Sequence, residues 1–323
     1  MKRSTLVLVA LGLTLTACDV PLQAVYTLQS RDSVPRGVAF DRAEQVFYTT
    51  ARSGEITMVT ALGREYSFHR AAEPTLSYAG AQVDVDRRLL WTCAFEPASP
   101  HTGPRSWVRA FDLEDARLVH EVALGSLHHG EVATRCEDVA LLADGAVLVT
   151  DSLQPTIYRI ENSSGSVLIE DSRLGPAAAG VRGLRGAAVD PSGDYLMVAR
   201  ADPAAIIAIP LVNPRALFEV AVEGDGLAAA TDTRYPAIDG LLFSGDDLYV
   251  VFPGGVRRVQ FIGEGYTRGE STSAAGLPRG LSMATIADDA LYVLDGDAYQ
   301  VEILGVKPEP PYKLLRVEPD AFK

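Results

Sequence analysis

The chain has no excess of basic residues: 29 Lys and Arg stand against 42 Asp and Glu, a formal charge of -13, and no basic stretch interrupts this balance. Such a surface disfavours phosphate backbones and anionic headgroups, which excludes nucleic acid as a main partner. It also has only three cysteines, and none sits in a C-x-x-C-H haem motif or a paired zinc motif. No apolar run is long enough for a permanent membrane helix; the most apolar stretch, Leu6 to Leu13, is too short. No capped amphipathic pattern of ten or more residues marks a helix, so a helical solenoid fits badly. Neither a Gly-x-Ser-x-Gly elbow nor a phosphate-binding loop is present. Asn162-Ser163-Ser164 fits the glycosylation pattern and carries no specific meaning here.

The short apolar run follows Lys2 and Arg3, and the pair reads as a secretory signal over residues 1–17. Leu15-Thr16-Ala17-Cys18 resembles the lipobox of bacterial lipoproteins, in which the signal is cut before a cysteine that carries lipid. The resemblance implies lipid attachment at Cys18, a short tether over 18–24, and a periplasm-facing place on the bacterial cell envelope. Losing Lys2 and Arg3 with the signal moves the formal charge from -13 to -15. Asp19 resembles the inner-membrane retention signal of the enterobacterial pathway; other bacteria follow other rules, so inner and outer membrane both stay open. An exported compartment permits a disulfide between the remaining Cys93 and Cys136, with two buried free thiols as the alternative.

Residues 25–323 are organised by a repeat. Its clearest copy is Leu184-Arg185-Gly186-Ala187-Ala188-Val189-Asp190, a turn at Pro191-Ser192-Gly193-Asp194, then Tyr195-Leu196-Met197-Val198. Worn copies start at Arg36-Gly37, Ala79-Gly80, Glu137-Asp138, Asp239-Gly240 and Arg279-Gly280, at intervals of 40 to 58 residues. Each interval holds about four short runs of period two bounded by turn residues. Six such units predict an all-β, six-bladed β-propeller of four-stranded blades. After Gly280 there is sequence for about three strands, so Val25 to Gln29 is expected to supply the last one and close the ring by pairing the two ends of the chain.

These copies resemble the NHL and SMP-30/gluconolactonase-like propellers, whose repeats carry a Pro-x-Gly-hydrophobic-Ala-hydrophobic-Asp strand, a Gly-containing turn and a Leu-Tyr-Val-type strand. The resemblance implies that the residue before each repeat Gly lines the central opening on one rim: Arg36, Ala79, Glu137, Arg185, Asp239 and Arg279. A second ring at the exits of the second strands would hold Thr50, Cys93, Asp151, Arg200, Phe252 and Asp295. The long connections 95–106, 124–135, 171–184, 223–237 and 271–278 fall on the same rim, which marks it as the functional face. Arg36, Glu137, Asp151, Arg185, Arg200, Asp239, Arg279 and Asp295 are therefore the candidate ligand-binding residues; the competing expectation is that these charges simply pair and plug the channel.

The metal-dependent lactonases of that group hold a divalent cation on carboxylate and amide oxygens. Placed on this sequence, the family's Glu falls on Arg36, its Asn on Glu137 and its Asp on Arg185. Guanidinium groups cannot coordinate a cation and repel it, so no cofactor is expected and a divalent cation is disfavoured. His128 and His129 match no strong metal spacing. Three function classes follow: a binding module whose charged rim holds an anionic small molecule, a peptide or an envelope protein; a lactonase-like hydrolase with a site rebuilt around Glu137, Asp151, Asp239 and Asp295; or a structural envelope component. No catalytic residue is assigned.

Overall fold

In the computed structural model, the described residues are 21–29, 33–100, 102–130, 132–176, 182–201, 203–227, 238–297, 301, 305–307 and 310–322. The expected signal, Cys18 and the start of the tether lie outside them. β1 (Val25–Leu28) precedes blade one, which is β2 (Pro35–Asp41), β3 (Val46–Ala51), β4 (Glu55–Thr60) and β5 (Glu65–Arg70). Blade two is β6 (Ser77–Asp84), β7 (Leu89–Glu96), β8 (Arg105–Asp112) and β9 (Leu118–Ala123). Blade three is β10 (Cys136–Leu141), β11 (Val147–Asp151), β12 (Thr156–Glu161) and β13 (Ser164–Glu170). Blade four is β14 (Leu184–Val189), β15 (Tyr195–Arg200), β16 (Ala205–Pro210) and the two-residue β17 (Phe218–Glu219). Blade five takes β18 (Ala221–Gly224), β19 (Gly240–Ser244), β20 (Asp247–Phe252), β21 (Gly255–Phe261) and β22 (Arg268–Ser273). β23 (Leu281–Ala287), β24 (Ala290–Asp295) and β25 (Tyr312–Val317) begin blade six.

The sheet order β1-β25-β24-β23 shows the expected closure: β1 pairs antiparallel with β25, Val25 opposite Leu315 and Leu28 opposite Tyr312. Blade five departs from the four-stranded expectation, because β18 adds to its edge parallel to β22. Hydrophobic burial explains why both faces of each blade read as dense apolar runs. Six core clusters fill the six gaps between neighbouring blades. At the closure, Tyr26 and Leu28 are buried with Phe47, Tyr292 and Leu314, and the Tyr26 ring lies 5.3 Å from that of Phe47.

Near the axis the blades crowd. A Cβ on Gly186 would stand 2.6 Å from the Leu241 nitrogen, so only glycine lets blade four approach blade five there. The same crowding explains three links that tie consecutive blades. Thr50 Oγ1 donates to the Ala79 carbonyl, Cys93 is disulfide-bonded to Cys136 across a Cα–Cα distance of 5.2 Å, and Thr150 Oγ1 donates to the Arg185 carbonyl at 2.7 Å. The blade-to-blade disulfide thus stands where its neighbours use a threonine hydroxyl. The chain unfolded without reductant should show no reactive thiol from Cys93 or Cys136, and two after reduction; two thiols before reduction would contradict the bond.

Candidate functional site

Five of the six innermost strands carry a bulge at the same point, between Pro35 and Gly37, Tyr78 and Ala81, Cys136 and Val139, Leu184 and Ala187, and Leu281 and Ala284. The bulge turns one side chain of each strand towards the axis. It places Arg36, Ala79, Glu137 and Arg185 together, and Asp239, which precedes the unbulged β19, joins them around a cavity of about 20 Å³, room for about one water molecule.

In blade six the register corrects the expected alignment. Leu281, opposite Asp295, is the equivalent of Leu184, opposite Arg200, so the ring residue is Ser282 and the repeat glycine is replaced by Met283. Arg279 lies three residues earlier and is exposed, away from the ring. The Arg279-Gly280-Leu281 triplet imitates the repeat, but Met283 can occupy the glycine place because Gly240 faces it: a Cβ on Gly240 would be 2.9 Å from Met283 Sδ.

The charges of the ring are joined. Arg36 Nη2 donates to Glu137 Oε2 at 3.0 Å, and Arg185 Nη2 donates to Asp239 Oδ1. Two connections add residues that the repeat does not reveal. Arg135 Nε donates to Glu137 Oε1 at 2.6 Å, Ser152 Oγ to the same oxygen at 2.8 Å, and Arg182 Nη1 stands 3.8 Å from it. Phe95 lies beneath Arg135, whose guanidinium is 4.0 Å from the ring centroid. Burial works to raise the Glu137 pKa, but the Arg135, Arg185, Arg36 and Arg182 charges outweigh it and hold the carboxyl well below the usual carboxylate range. Among the described residues, the arrangement gathers four guanidinium groups round two carboxylates.

The second ring does not converge. Ala51 and Ala94, not Thr50 and Cys93, stand opposite Pro35 and Tyr78, the residues before the bulges of β2 and β6. Asp151 is buried, and its Oδ1 accepts the backbone N–H of Arg135, Leu153 and Gln154 at 3.0, 2.8 and 3.1 Å. Its Oδ2 accepts from the Tyr158 hydroxyl at 3.0 Å, which in turn lies 2.7 Å from His128 Nε2. Burial raises Asp151 to about 6 against these hydrogen bonds. Its role is to fix the 152–154 turn that delivers Ser152. Arg200 reaches outward to the Arg173 carbonyl and to Glu219, at 3.0 and 2.9 Å. Asp295 is half-buried, raised to about 6 by burial and by the Asp297 charge, with Lys313 acting the other way.

Asp138 occupies the glycine place of blade three. Its Oδ1 accepts from Val139 N and its Oδ2 from Ala187 N, at 2.9 and 3.0 Å, so it also ties blade three to blade four. Burial raises it to about 8, aided by the Glu137 charge and opposed by the two N–H donors. The folded state therefore holds this proton more tightly than the unfolded chain, and the associated stability is full below about pH 4 and is lost as pH rises towards 8. Asp138→Asn should flatten that part of the profile: the melting temperature of the wild type should fall more between pH 5 and pH 8 than that of the variant. Parallel profiles would show that Asp138 does not titrate in this window.

The residues present do not fit the divalent cation of the lactonase-type propellers. Arg36 and Arg185 fall where the resemblance places oxygen donors, and Glu137 and Asp239 are held by arginines. Among the described residues, no group of three or more His, Cys, Asp or Glu side chains is placed to share a metal.

An all-β ring of six blades with its polar cluster on the axis defines the class as a six-bladed β-propeller. Solved structures share the fold. A gluconolactonase from Xanthomonas campestris superposes with a TM-score of 0.62 at 15% identity, over 91% of this chain and 89% of that one. Regucalcin, a calcium-binding protein from Agrobacterium tumefaciens, gives 0.59 at 14%, over 90% and 94%. The soluble aldose sugar dehydrogenase from Escherichia coli in its apo form gives 0.59 at 15%, over 91% and 99%. No protein-family model and no curated protein matches the sequence. At these identities the likeness lies in the fold.

Proposed function

We propose that the protein is a lipid-anchored, periplasm-facing binding propeller whose rim cluster holds an anionic group, as carried by a small carboxylate, a peptide or an envelope protein. One observation carries this reading: among the described residues, Arg36 and Arg185 pair with Glu137 and Asp239, and Arg135 and Arg182 stand beside the same Glu137, so that four guanidinium groups gather on one rigid mouth. Arg36 and Arg185 are buried in the plug, while the Arg135 and Arg182 side chains keep 14% and 20% exposure towards the open rim. An incoming carboxylate meets these two guanidinium groups, Arg135 lying over the Phe95 ring, where a partly desolvated mouth strengthens the attraction.

The gluconolactonase and regucalcin neighbours favour a second reading, a hydrolase of the lactonase type built on Glu137, Asp151, Asp239 and Asp295. The donor set argues against it, because Asp151 is committed to backbone N–H groups and both ring acids to arginines. Metal analysis after dialysis, with lactone hydrolysis on wild type and Glu137→Gln, separates the two. A metal-poor protein inactive on lactones supports binding; bound calcium or zinc with hydrolysis lost in the variant establishes the hydrolase. A purely structural envelope role requires that Arg135→Ala and Arg182→Ala change no binding.

A further inference from the structure

The strand order fixes which face of the propeller its N-terminal tether leaves. Each innermost strand runs from the charged rim to the opposite face, so the first-to-second and third-to-fourth strand turns of every blade lie opposite the rim. β1 is the fourth strand of blade six, and its start lies on that opposite face. Contacts agree: Gln23 Nε2 donates to the Ala61 carbonyl at 3.2 Å, the Tyr26 hydroxyl donates to the same oxygen at 3.2 Å, and Tyr292 Oη donates to the Gln23 carbonyl at 3.0 Å. Ala61 belongs to the β4–β5 turn of blade one, and Tyr292 lies near the start of β24, both at the end away from the rim.

The same face gathers exposed apolar side chains. Leu62, at the tip of the turn that Gln23 grips, is 58% exposed, and Val25, at the start of β1, is 48% exposed. Val212, in the β16–β17 turn, is 96% exposed, and Ile262, in the β21–β22 turn, 46%. Isolated exposed apolar residues are ordinary. Here four stand on one face, two of them beside the point where the tether emerges.

We propose that the face opposite the charged rim is a membrane-contact surface, with Leu62 and Val25 entering the interfacial layer of the bilayer that holds the lipid on Cys18, so that the arginine cluster points away from the membrane. This rests on the lipid anchor of the proposed function. Three residues separate Cys18 from Leu22, and the four steps between them reach at most about 14 Å, which keeps this face at the bilayer. Leu62 and Val25 then gain an apolar environment at the cost of little ordering, since the tether already confines them. Glu44, Asp86, Glu114, Asp115, Asp246 and Asp288 are exposed in turns of the same face. The contact is therefore apolar and tether-driven, and anionic headgroups weaken it.

The test uses the full chain produced in a bacterium that processes lipoproteins and reconstituted into phosphatidylcholine vesicles. With Cys18 acylated and Cys93 bonded to Cys136, Leu62→Cys, Val212→Cys or the rim variant Ala275→Cys each presents one free thiol for an environment-sensitive dye. Flotation of wild type and Cys18→Ala reads the anchor, and quenching by doxyl-labelled lipid reads the orientation. The expected result is flotation lost in Cys18→Ala, at least about twofold stronger quenching at position 62 than at 275, and position 212 between them. If the wild type does not float, the anchor falls and the orientation with it. If it floats but position 62 is quenched no more than position 275, the orientation alone is overturned. Since Leu62 is largely exposed, its replacement leaves the core intact, and Val212→Cys gives an independent reading.

Discussion

Deletion of residues 22–30 lowers the melting temperature by about 8 °C or more and leaves the chain prone to association. The strand removed supplies Tyr26, 1% exposed, and Leu28, 4% exposed, to the core between blades six and one. Burying two such side chains stabilises by about 4–5 kcal/mol together, and the ladder to β25 adds to it. For a chain of this size about 5 kcal/mol corresponds to about 8 °C. The deletion also exposes the N–H and C=O groups of β25 as an open sheet edge, a template for pairing with other chains. Tyr26→Ala isolates the packing part, about 3–5 kcal/mol, without opening the edge. Thermal denaturation followed by circular dichroism checks both, and an unchanged melt after deletion would show that the ring is held closed without this strand.

The second large effect is at the axis. Glu137→Gln should destabilise the protein by about 3–5 kcal/mol, because it leaves buried guanidinium groups without their counter-charge. Arg36 and Glu137 side chains are 5% and 3% exposed, so solvent does little to compensate. The pH dependence follows from the depressed Glu137 pKa. An acid held ionised by folding contributes stability that is full above its unfolded value, about 4.3, and is lost as pH falls through the lower folded value. The gap between wild type and Glu137→Gln should therefore be widest near pH 6 and should shrink below about pH 4. A double-mutant cycle with Arg36→Met measures the coupling directly, and a coupling near zero would show that the ring charges act independently.

The repeat was legible because propeller geometry imposes it: the glycine before the apolar strand marks crowding at the axis, and the turn and second strand follow at fixed spacing. The closure by β1 could be deduced because blade six lacked a strand and an alternating run was unused at the other end. Other features were not legible from spacing. The blade-six copy was displaced by three residues, since Met283 replaces the glycine and only its contact with Gly240 explains how it fits. Arg135, Arg182 and Ser152 come from connections whose course no periodicity records, although Arg135 adjoins Cys136 and Arg182 precedes Arg185. Asp151 and Arg200 were correctly placed at strand ends but not correctly aimed, because side-chain direction there depends on nearby backbone N–H groups and carbonyls. The sequence could place charges on a rim; only three-dimensional packing decides which of them meet.

The central claim is that the arginine cluster is an anion-binding mouth. Isothermal titration of the wild type, Arg135→Ala and Arg182→Ala with succinate, gluconate and inorganic phosphate at low ionic strength tests it most directly. The expected result is saturable binding of at least one of these anions to the wild type, weakened about tenfold or more in each variant, a loss of about 1.4 kcal/mol, while Arg182→Ala, whose guanidinium stands 3.8 Å from Glu137, leaves the melting temperature of the unliganded protein close to that of the wild type. Absence of binding to all three anions, or equal binding in wild type and variants, would contradict the claim and leave the cluster as a plug that closes the channel.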